Sequence, residues 1–370
     1  MPLFKGVFKK TSHLFFWKQV FFYTHKKRVL YYSDICLTFM ARKKMNGAQR
    51  HCNTNEQKTV ANPMSFFSIV IPLYNKEAYI LQTLQSVCKQ SFSDFEILLI
   101  NDGSTDRSLE EAAKVKDIRL KIITQKNQGV SRARNFGMQQ AKGNFIALLD
   151  ADDLWAPNYL EKIHALTKEF PKEAVFSSAV HISKKGLTKK AAYSIPDKPV
   201  QKLNYFRGSL KSSILHPSSV VLHRDVFTKL GGFDTRYSNY EDIDYWFRIG
   251  LHYEVVFAST PYATIQKIEN SLSSQKFNWK THCFLESYDT VKSEVPEFGK
   301  VLDLNRLSLA LLCKQNGCEK QFQLLKGKIH SKNLNLPQRL LLRLPKVVLS
   351  TLRKLKAFFE KKGVSVVVFK

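Results

Sequence analysis

The sequence has no long apolar run and few acidic residues. The first feature argues against a membrane-spanning protein, and the second leaves a large excess of positive charge. No stretch reaches the ~18 uncharged apolar residues that a membrane-spanning helix needs. Only 31 acidic residues face 58 basic ones, which gives a formal net charge of +27. The excess belongs to the ends, since roughly +10 lies before Phe66 and about +12 after Pro261. Basic ends suit a polyanion, but no nucleic-acid-binding motif accompanies them, so we expect no nucleic-acid partner.

Two nucleotide-binding signatures and a cysteine framework are also missing. Neither the GxGxxG of a dinucleotide-binding domain nor the GxxxxGK[ST] of a P-loop follows the first predicted strand. The six cysteines show no paired zinc spacing and no dense disulfide pattern. A reducing, cytoplasmic setting fits this cysteine usage best.

The composition is that of a globular protein, and its pattern predicts three regions. Residues 1–63 are aromatic, basic and then polar, which predicts a disordered extension. Met64 stands just before a strong strand and is a second candidate start, so the extension is either an upstream mis-start or a basic arm that contacts membrane. We predict a catalytic domain over residues 64–270 and a basic helical region over residues 271–370.

The region after Phe66 alternates strands with helices. The apolar segments SIVIPL, FEILLI, LKIIT and FIALL read as buried strands, and amphipathic segments lie between them. This alternation predicts an α/β fold with a Rossmann-like, mostly parallel sheet flanked by helices. Ligands of such sheets bind beyond the carboxyl ends of the strands, where polar tips such as NDGSTD and DADD lie.

Three aspartates follow the fourth predicted strand in FIALLDADDLW. Asp150 and Asp152 are two residues apart and would face the same side, while Asp153 points away. Converging carboxylates suit Mg²⁺ or Mn²⁺, and Mg²⁺ commonly shares its shell with substrate phosphates. A solvated acidic loop that caps the next helix is the alternative. Asp102, at the end of the second strand, would contact a base or ribose, unless Asp102-Gly103 is only a turn.

The ordered set IVIPLYN, LLINDGSTD, NQGVSRARNFGMQQAKGNFIALLDADD and YEDID resembles the family-2 glycosyltransferases, which have the GT-A fold. The similarity spans Phe67 to Leu251. It implies inverting transfer of a sugar from a nucleoside-diphosphate sugar, with a divalent cation on the diphosphate. Family frequency favours a UDP-hexose as the donor, and GDP and TDP are the alternatives. The implied acceptor is a saccharide or lipid-linked saccharide in bacterial surface-polysaccharide synthesis.

The resemblance also assigns residues by position. The implied nucleotide-sugar-binding residues are Pro72, Tyr74, Asp102, Arg134 and Asp150. Asp152, as part of a DXD motif, would be the principal metal ligand, shared with Asp150. Asp242 would be the catalytic base, and Glu241 would bind the acceptor. Structural alternatives remain: Arg134 could pair only with neighbouring acids, and Ser238 with Glu241 has the spacing of a helix capping box.

The segment LPQRLLLRLPKVVLSTLRKLKAFFEKK interleaves leucines with basic residues near the C-terminus. It would lie peripherally on an anionic membrane, on its cytoplasmic face, or dock its apolar stripe onto the catalytic domain. Two rival functions remain at this stage. One is a metal-dependent nucleotidyltransferase, and the other is a non-catalytic nucleotide-sugar-binding or membrane-scaffolding protein.

Overall fold

The alternating segments of the first half form a parallel sheet, as predicted. The computed structural model describes residues 65–237, 239–268, 279 and 283–361. The first four strands pair in parallel in the order β3-β2-β1-β4. They are β1 (Phe67–Leu73), β2 (Phe95–Asn101), β3 (Leu120–Thr124) and β4 (Phe145–Leu148). The crossover helices are α1 (Ile80–Cys88), α2 (Ser108–Ala113) and α3 (Val130–Gln140). All four carboxyl ends therefore meet at one edge.

Helix α3 lies unusually close to the centre of this sheet. A Cβ atom added at Gly137 would come within 2.3 Å of Val70 Cγ1, so only glycine allows the helix this approach. Ala133 and Met138 are buried on the same side of the helix. The close packing fixes the amino-terminal turns of α3 against the carboxyl edge of the sheet, where Arg134 lies.

The second half extends the sheet with mostly antiparallel strands. Strand β4 pairs with β9, β9 with β6, and β6 runs parallel to the long strand β10. The remaining strands and helices are β5 (Leu154–Trp155), α4 (Tyr159–Glu169), β6 (Val175–Lys184), β7 (Leu187–Lys190), β8 (Val200–Asn204), α5 (Tyr205–Gly208), β9 (Val220–His223), α6 (Arg224–Leu230), α7 (Glu241–His252) and β10 (Glu254–Gln266). The predicted fold class, an α/β protein with a Rossmann-like sheet, is confirmed.

Strand β10 corrects one expectation. The sequence predicts two strands, YEVVF and YATIQKI, separated near Pro261. The structure has one strand whose register against β6 shifts between Ala258 and Pro261 and again between Pro261 and Ala263. Proline cannot donate to a strand ladder, and such irregularities are where sheets accommodate it.

The C-terminal region is helical, as predicted. It consists of α8 (Glu297–Gln315), α9 (Glu319–Lys328), α10 (Leu336–Arg343) and α11 (Lys346–Lys361). Phe298 of α8 contacts Phe206 of α5 edge to face, with ring centroids 5.0 Å apart. These helices thus share a core with the second half of the sheet. Residues 1–63 and the apolar tail GVSVVVF lie outside the described residues, so the proposed region boundaries stay predictions.

Candidate active site

All eight residues predicted for the site line one cleft. The cleft has a volume of about 560 Å³ and opens at the carboxyl ends of the parallel strands. Its walls include Pro72, Tyr74, Asp102, Arg134, Asp150, Asp152, Glu241 and Asp242. Pro72 and Asp242, the first and last of these residues, are far apart in the sequence. Folding of the chain, and not a local sequence motif, therefore assembles the site.

Asp150 and Asp152 face the cleft, whereas Asp153 is turned into the protein. The Asp153 carboxylate accepts hydrogen bonds from Ser218 Oγ at 2.5 Å and from the backbone amide of Gln266 at 2.8 Å. Burial and the two neighbouring aspartates raise the pKa of Asp153 well above its ordinary value. Asp153 therefore ties the acidic loop to the end of β10 and leaves the other two carboxylates for a ligand.

Lys76 pairs with Asp152, a contact that the sequence analysis missed. Its ammonium nitrogen lies 2.5 Å from Asp152 Oδ2, and the two side chains are 23% and 14% exposed. Burial, followed by the charge of Asp150, still raises the pKa of Asp152 although Lys76 acts in the opposite direction. One lysine thus only partly offsets the negative charge around Asp152.

Arg134 joins the two ends of the cleft. Its Nη2 donates to Asp150 Oδ1 at 2.6 Å and its Nη1 donates to Glu241 Oε1 at 3.1 Å. Burial opposes ionisation of Asp150, but the guanidinium outweighs it and lowers the pKa of that carboxyl. Arg134 is 4% exposed, and among the described residues its Nε has no hydrogen-bond partner. The arginine pairs with structural neighbours, as one alternative held, and it still reaches the cleft wall.

Asp102 holds the loop that precedes α3. Its carboxylate accepts hydrogen bonds from Gln125 Nε2 and from the backbone amides of Gln128 and Gly129, at 2.7, 2.9 and 2.8 Å. Gly103 follows with a φ of +70°, and a side chain there would meet the backbone of Asn127. Asp102 therefore fixes a turn at the cleft wall, and its predicted contact with the nucleotide stays a prediction.

Asp242 lies in the first turn of α7 with its carboxylate on the cleft. Burial and the adjacent Glu241 raise the pKa of Asp242 to about 7, although Arg134 acts to lower it. Its Oδ1 accepts a hydrogen bond from the amide of Ile243, at 2.8 Å. A carboxylate in this state exchanges a proton near neutral pH, which is what general base catalysis requires.

The start of α7 differs from the predicted capping box. Tyr240 is the N-cap residue, with a left-handed φ of 64° and no side-chain cap. Ser238, the other member of the predicted box, lies outside the described residues. Glu241 uses its carboxylate to accept from Arg134. The predicted role of Glu241 toward an acceptor is untested.

His216 also lines the cleft, although the sequence analysis assigned it no chemistry. Burial lowers the pKa of its imidazole to about 4, despite the nearby charge of Asp150. Its Nδ1 accepts from the backbone amide of Ser218 at 3.3 Å. The ring is therefore neutral at physiological pH and adds no positive charge to the cleft.

Part of the chain matches a known protein family. Residues 68–231 match the model of glycosyl transferase family 2. This segment is a family 2 glycosyltransferase domain. A Haemophilus influenzae protein named as an uncharacterised glycosyltransferase is 44% identical over 102 residues, which are 27% of this chain and 41% of that protein. Streptococcus pneumoniae glycosyltransferase GlyG is 33% identical over 114 residues, 30% of this chain and 38% of GlyG.

A solved structure agrees on the fold of the family 2 domain. The crystal structure of S. aureus TarS residues 1–349 in complex with UDP matches with a TM-score of 0.50 and 18% identity. The match covers 74% of this chain and 76% of that one. The GT-A fold predicted from the motifs is thus confirmed, whereas the chain spans about two-fifths or less of the two relatives above.

The cleft carries an excess of negative charge. Its lining includes three cationic side chains, Lys76, Arg134 and Lys267. It also includes five carboxyl groups that face the cleft, from Asp102, Asp150, Asp152, Glu241 and Asp242, whereas the carboxyl of Asp153 is turned into the protein. An anionic ligand therefore needs additional positive charge to bind here, unless several carboxyls take up protons.

Asn135, next to Arg134, fixes a second part of the site. Its side chain accepts from the amide of Phe233 at 2.7 Å and donates to the carbonyl of the same residue at 2.8 Å. The loop that leads into α7 is thereby held against α3. Gly231 ends the preceding helix, with a φ of 73°, and Asp244 pairs with Arg248.

Proposed function

We propose that this protein is an inverting glycosyltransferase that moves a sugar from a nucleoside-diphosphate sugar, a UDP-hexose, to a saccharide or lipid-linked saccharide. The observation that carries the proposal is the position of Asp242. It is a carboxylate with a pKa near 7 that shares a cleft with Asp150 and Asp152. Membership of glycosyl transferase family 2 and relatives named as glycosyltransferases support this class of reaction.

The proposed reaction is a single displacement at the anomeric carbon. The oxygen of the acceptor hydroxyl bonds to the anomeric carbon while Asp242 accepts the proton of that hydroxyl. The bond from the anomeric carbon to the diphosphate oxygen breaks in the same step. The nucleoside diphosphate leaves with the bonding electron pair, so charge develops on its terminal phosphate. A base in this position contributes typically ~10²–10⁴-fold to the rate.

The residues present fit a divalent cation at Asp150 and Asp152. No three His, Cys, Asp or Glu side chains of the described residues form a ready-made metal site. Mg²⁺, however, commonly uses one or two carboxylates together with substrate phosphates. The acidic excess of the cleft also requires extra positive charge before a diphosphate can bind. Asp152, shared with Asp150, would hold Mg²⁺ or Mn²⁺, which supplies electrostatic stabilisation of the leaving diphosphate.

The remaining predicted residues complete the donor side of the proposal. Tyr74 is 45% exposed at the cleft wall and would flank the base together with Pro72. Asp102 would contact the nucleotide, and Arg134 would position Asp150 beside it. UDP is the proposed nucleotide because the family resemblance favours it, and TarS, whose fold this chain shares, was solved with UDP.

We also propose that the C-terminal helices hold the protein at an anionic membrane surface, on its cytoplasmic face. The inner side of α10 is docked, because Leu341 and Leu342 are buried. Its outer side exposes Leu336 (68%) and Leu340 (48%). Arg343 is exposed at the end of this outer side.

Helix α11 repeats this arrangement. Leu349 is buried, whereas Val347 (76%), Val348 and Leu355 are exposed. Lys346 begins the helix and is exposed. Exposed apolar side chains interspersed with basic ones favour the interface of an anionic bilayer over water. In the part of the chain that the structure describes, no helix is both long and apolar enough to cross a membrane. Peripheral contact would bring a lipid-linked acceptor within reach and fits a role in cell-surface polysaccharide synthesis.

A calorimetric and thermal-shift panel tests the catalytic proposal. UDP, GDP, TDP and CDP would each be added with Mn²⁺, with Mg²⁺ or with a chelator, to the wild type and to Asp152→Ala. We expect UDP to stabilise the wild type in a metal-dependent way, with the effect lost in Asp152→Ala. Asp225→Ala, an exposed aspartate on α6, is the matched control and should behave as wild type.

Other outcomes would change the proposal. Stabilisation by another nucleotide would change the donor and keep the reaction class. Stabilisation by no nucleotide, in a folded sample, would contradict catalysis and favour a scaffold at the membrane. Release of pyrophosphate from a nucleoside triphosphate would instead indicate a nucleotidyltransferase.

A further inference from the structure

Lys76 occupies the position of a cation at the acidic loop. Its ammonium lies against Asp152, the carboxylate proposed as the main metal ligand. The rest of the cleft offers Asp152 little other compensation, because Arg134 donates to Asp150 and Glu241 instead. Two positive charges cannot both take the closest position on one carboxylate. The lysine and a divalent ion therefore compete for Asp152.

The backbone of Lys76 is fixed, so that only its side chain can leave. The Lys76 amide donates to Ser108 Oγ at 2.6 Å, and its carbonyl accepts from the amides of Tyr79 and Ile80. Asn75, with a φ of 50°, precedes it and is tied to Thr105. A lysine side chain has four rotatable methylene carbons and a compact charge, which lets the ammonium move several ångströms without backbone change.

From these contacts we propose that Lys76 is a tethered counter-ion that masks Asp152 in the free protein and moves to the donor diphosphate when the donor and metal bind. Lys76 is a positioning residue in this role and does not react. The inference rests on the proposed function, because it assumes a nucleoside diphosphate as ligand. It explains how an acidic cleft stays folded without a metal and still accepts an anion.

Two binding measurements on the full chain test the proposal, and neither needs turnover. The first is a Mn²⁺ titration without nucleotide, followed by electron paramagnetic resonance, on wild type, Lys76→Met, Lys76→Arg and Asp152→Ala. Because the competing charge is gone, Lys76→Met should bind Mn²⁺ about fivefold more tightly than wild type, the upper end for one partly exposed ion pair. Lys76→Arg keeps the charge and should stay near wild type, and Asp152→Ala should bind most weakly.

The second measurement is UDP affinity at saturating Mn²⁺, by calorimetry. Lys76→Met should bind UDP about tenfold more weakly than wild type, because the diphosphate loses one cation. The substitution therefore moves the two affinities in opposite directions, which loss of folding would not do. Thermal unfolding of each variant confirms that the samples are folded.

The failures are distinguishable. If wild type binds UDP with Mn²⁺ but Lys76→Met leaves metal affinity unchanged, the masking role of Lys76 is wrong and the proposed function stands. If metal affinity rises and UDP affinity does not fall, the ammonium does not move to the diphosphate, and that half of the proposal is overturned. If no variant binds Mn²⁺ or UDP, both this inference and the proposed function are wrong.

Discussion

The acidic cleft and the basic outer side of α10 and α11 differ in how far their charged side chains are exposed to water. In the cleft, Arg134 and Glu241 are buried, and the pKa values of Asp152 and Asp242 are raised. On the outer side of the C-terminal helices, Arg343 and Lys346 are exposed. Interactions between buried charges are strong because water screens them little, whereas exposed charges interact weakly. We therefore expect single substitutions to have large effects in the cleft and small ones on the outer helices.

The largest expected effect is on sugar transfer. Asp242→Asn keeps the shape of the side chain but removes its capacity to take the acceptor proton. We expect transfer to fall by about 10²–10⁴-fold, measured as kcat with saturating donor, while the Kd for UDP changes little. Asp225→Asn, on the surface of α6, should keep wild-type activity. Transfer unchanged in Asp242→Asn would remove Asp242 from the mechanism.

The next effect is on stability. Arg134→Met would leave Asp150 and Glu241 buried without their shared partner. Removing one member of a buried ion-pair network costs about 3–5 kcal/mol, to be measured by urea unfolding near pH 7.5. Arg132→Met is the matched control on the same helix, because Arg132 is exposed and donates to the exposed side chain of Gln128. Equal losses in the two variants would contradict the bridging role of Arg134.

A third prediction concerns pH. The pKa of Asp242 in the folded state, about 7, exceeds the ~3.9 of an unfolded aspartate. Between these values the folded state binds more protons than the unfolded state, so ionisation of Asp242 lowers stability as pH rises. Asp242→Asn removes this penalty. The melting temperature of Asp242→Asn minus that of wild type should therefore increase from pH 5 to pH 8, as measured by calorimetry.

This pH effect depends on the groups around Asp242. Glu241, Arg134 and Asp150 all act on its carboxyl. A melting-temperature difference between variant and wild type that stays constant with pH would show that Asp242 titrates at an ordinary value. The same pKa predicts that transfer by the wild type rises with pH and levels off above about 7.

The smallest effect is expected on the outer side of the C-terminal helices. Replacing Arg343 and Lys346 by glutamine should weaken binding to phosphatidylglycerol vesicles by roughly thirtyfold, since each of the two basic residues near such a surface contributes ~1 kcal/mol. Replacing Leu340 and Val347 by serine should act similarly, with little change in unfolding free energy. Lys168 and Lys172, exposed on and after α4, supply the control pair. Equal binding by all variants, or none by wild type, would contradict the membrane proposal.

The elements of the first half could be predicted because their signals are local. Strands β1 to β4 are short apolar runs, and α3 has the apolar period of a helix, so their bounds fall within a few residues of the expectation. Ends were less predictable. Ser104, a residue type that favours the N-cap of a helix, instead accepts from the amide of Asn75 through its Oγ, and helix α2 begins at Ser108.

The candidate residues could be identified from motifs, but their partners could not. Lys76 and Asp152 are 76 positions apart, and Arg134 and Glu241 are 107 apart. No local pattern encodes such pairs, because they arise from the order of strands in the sheet. The same holds for the C-terminal helices, where one apolar stripe was expected either to dock or to meet membrane. The structure buries Leu341 and Leu349 and leaves Leu340 and Val347 exposed.

Through its neighbouring residues Arg134 and Asn135, helix α3 sets the position of both halves of the cleft. One side chain holds Asp150, and the next holds the loop that delivers Asp242. Since Gly137 seats this helix directly on β1, the separation between the proposed donor side and the proposed base is set by rigid elements. Acceptor preference can therefore change through the loops at the cleft mouth while the reacting distance stays the same.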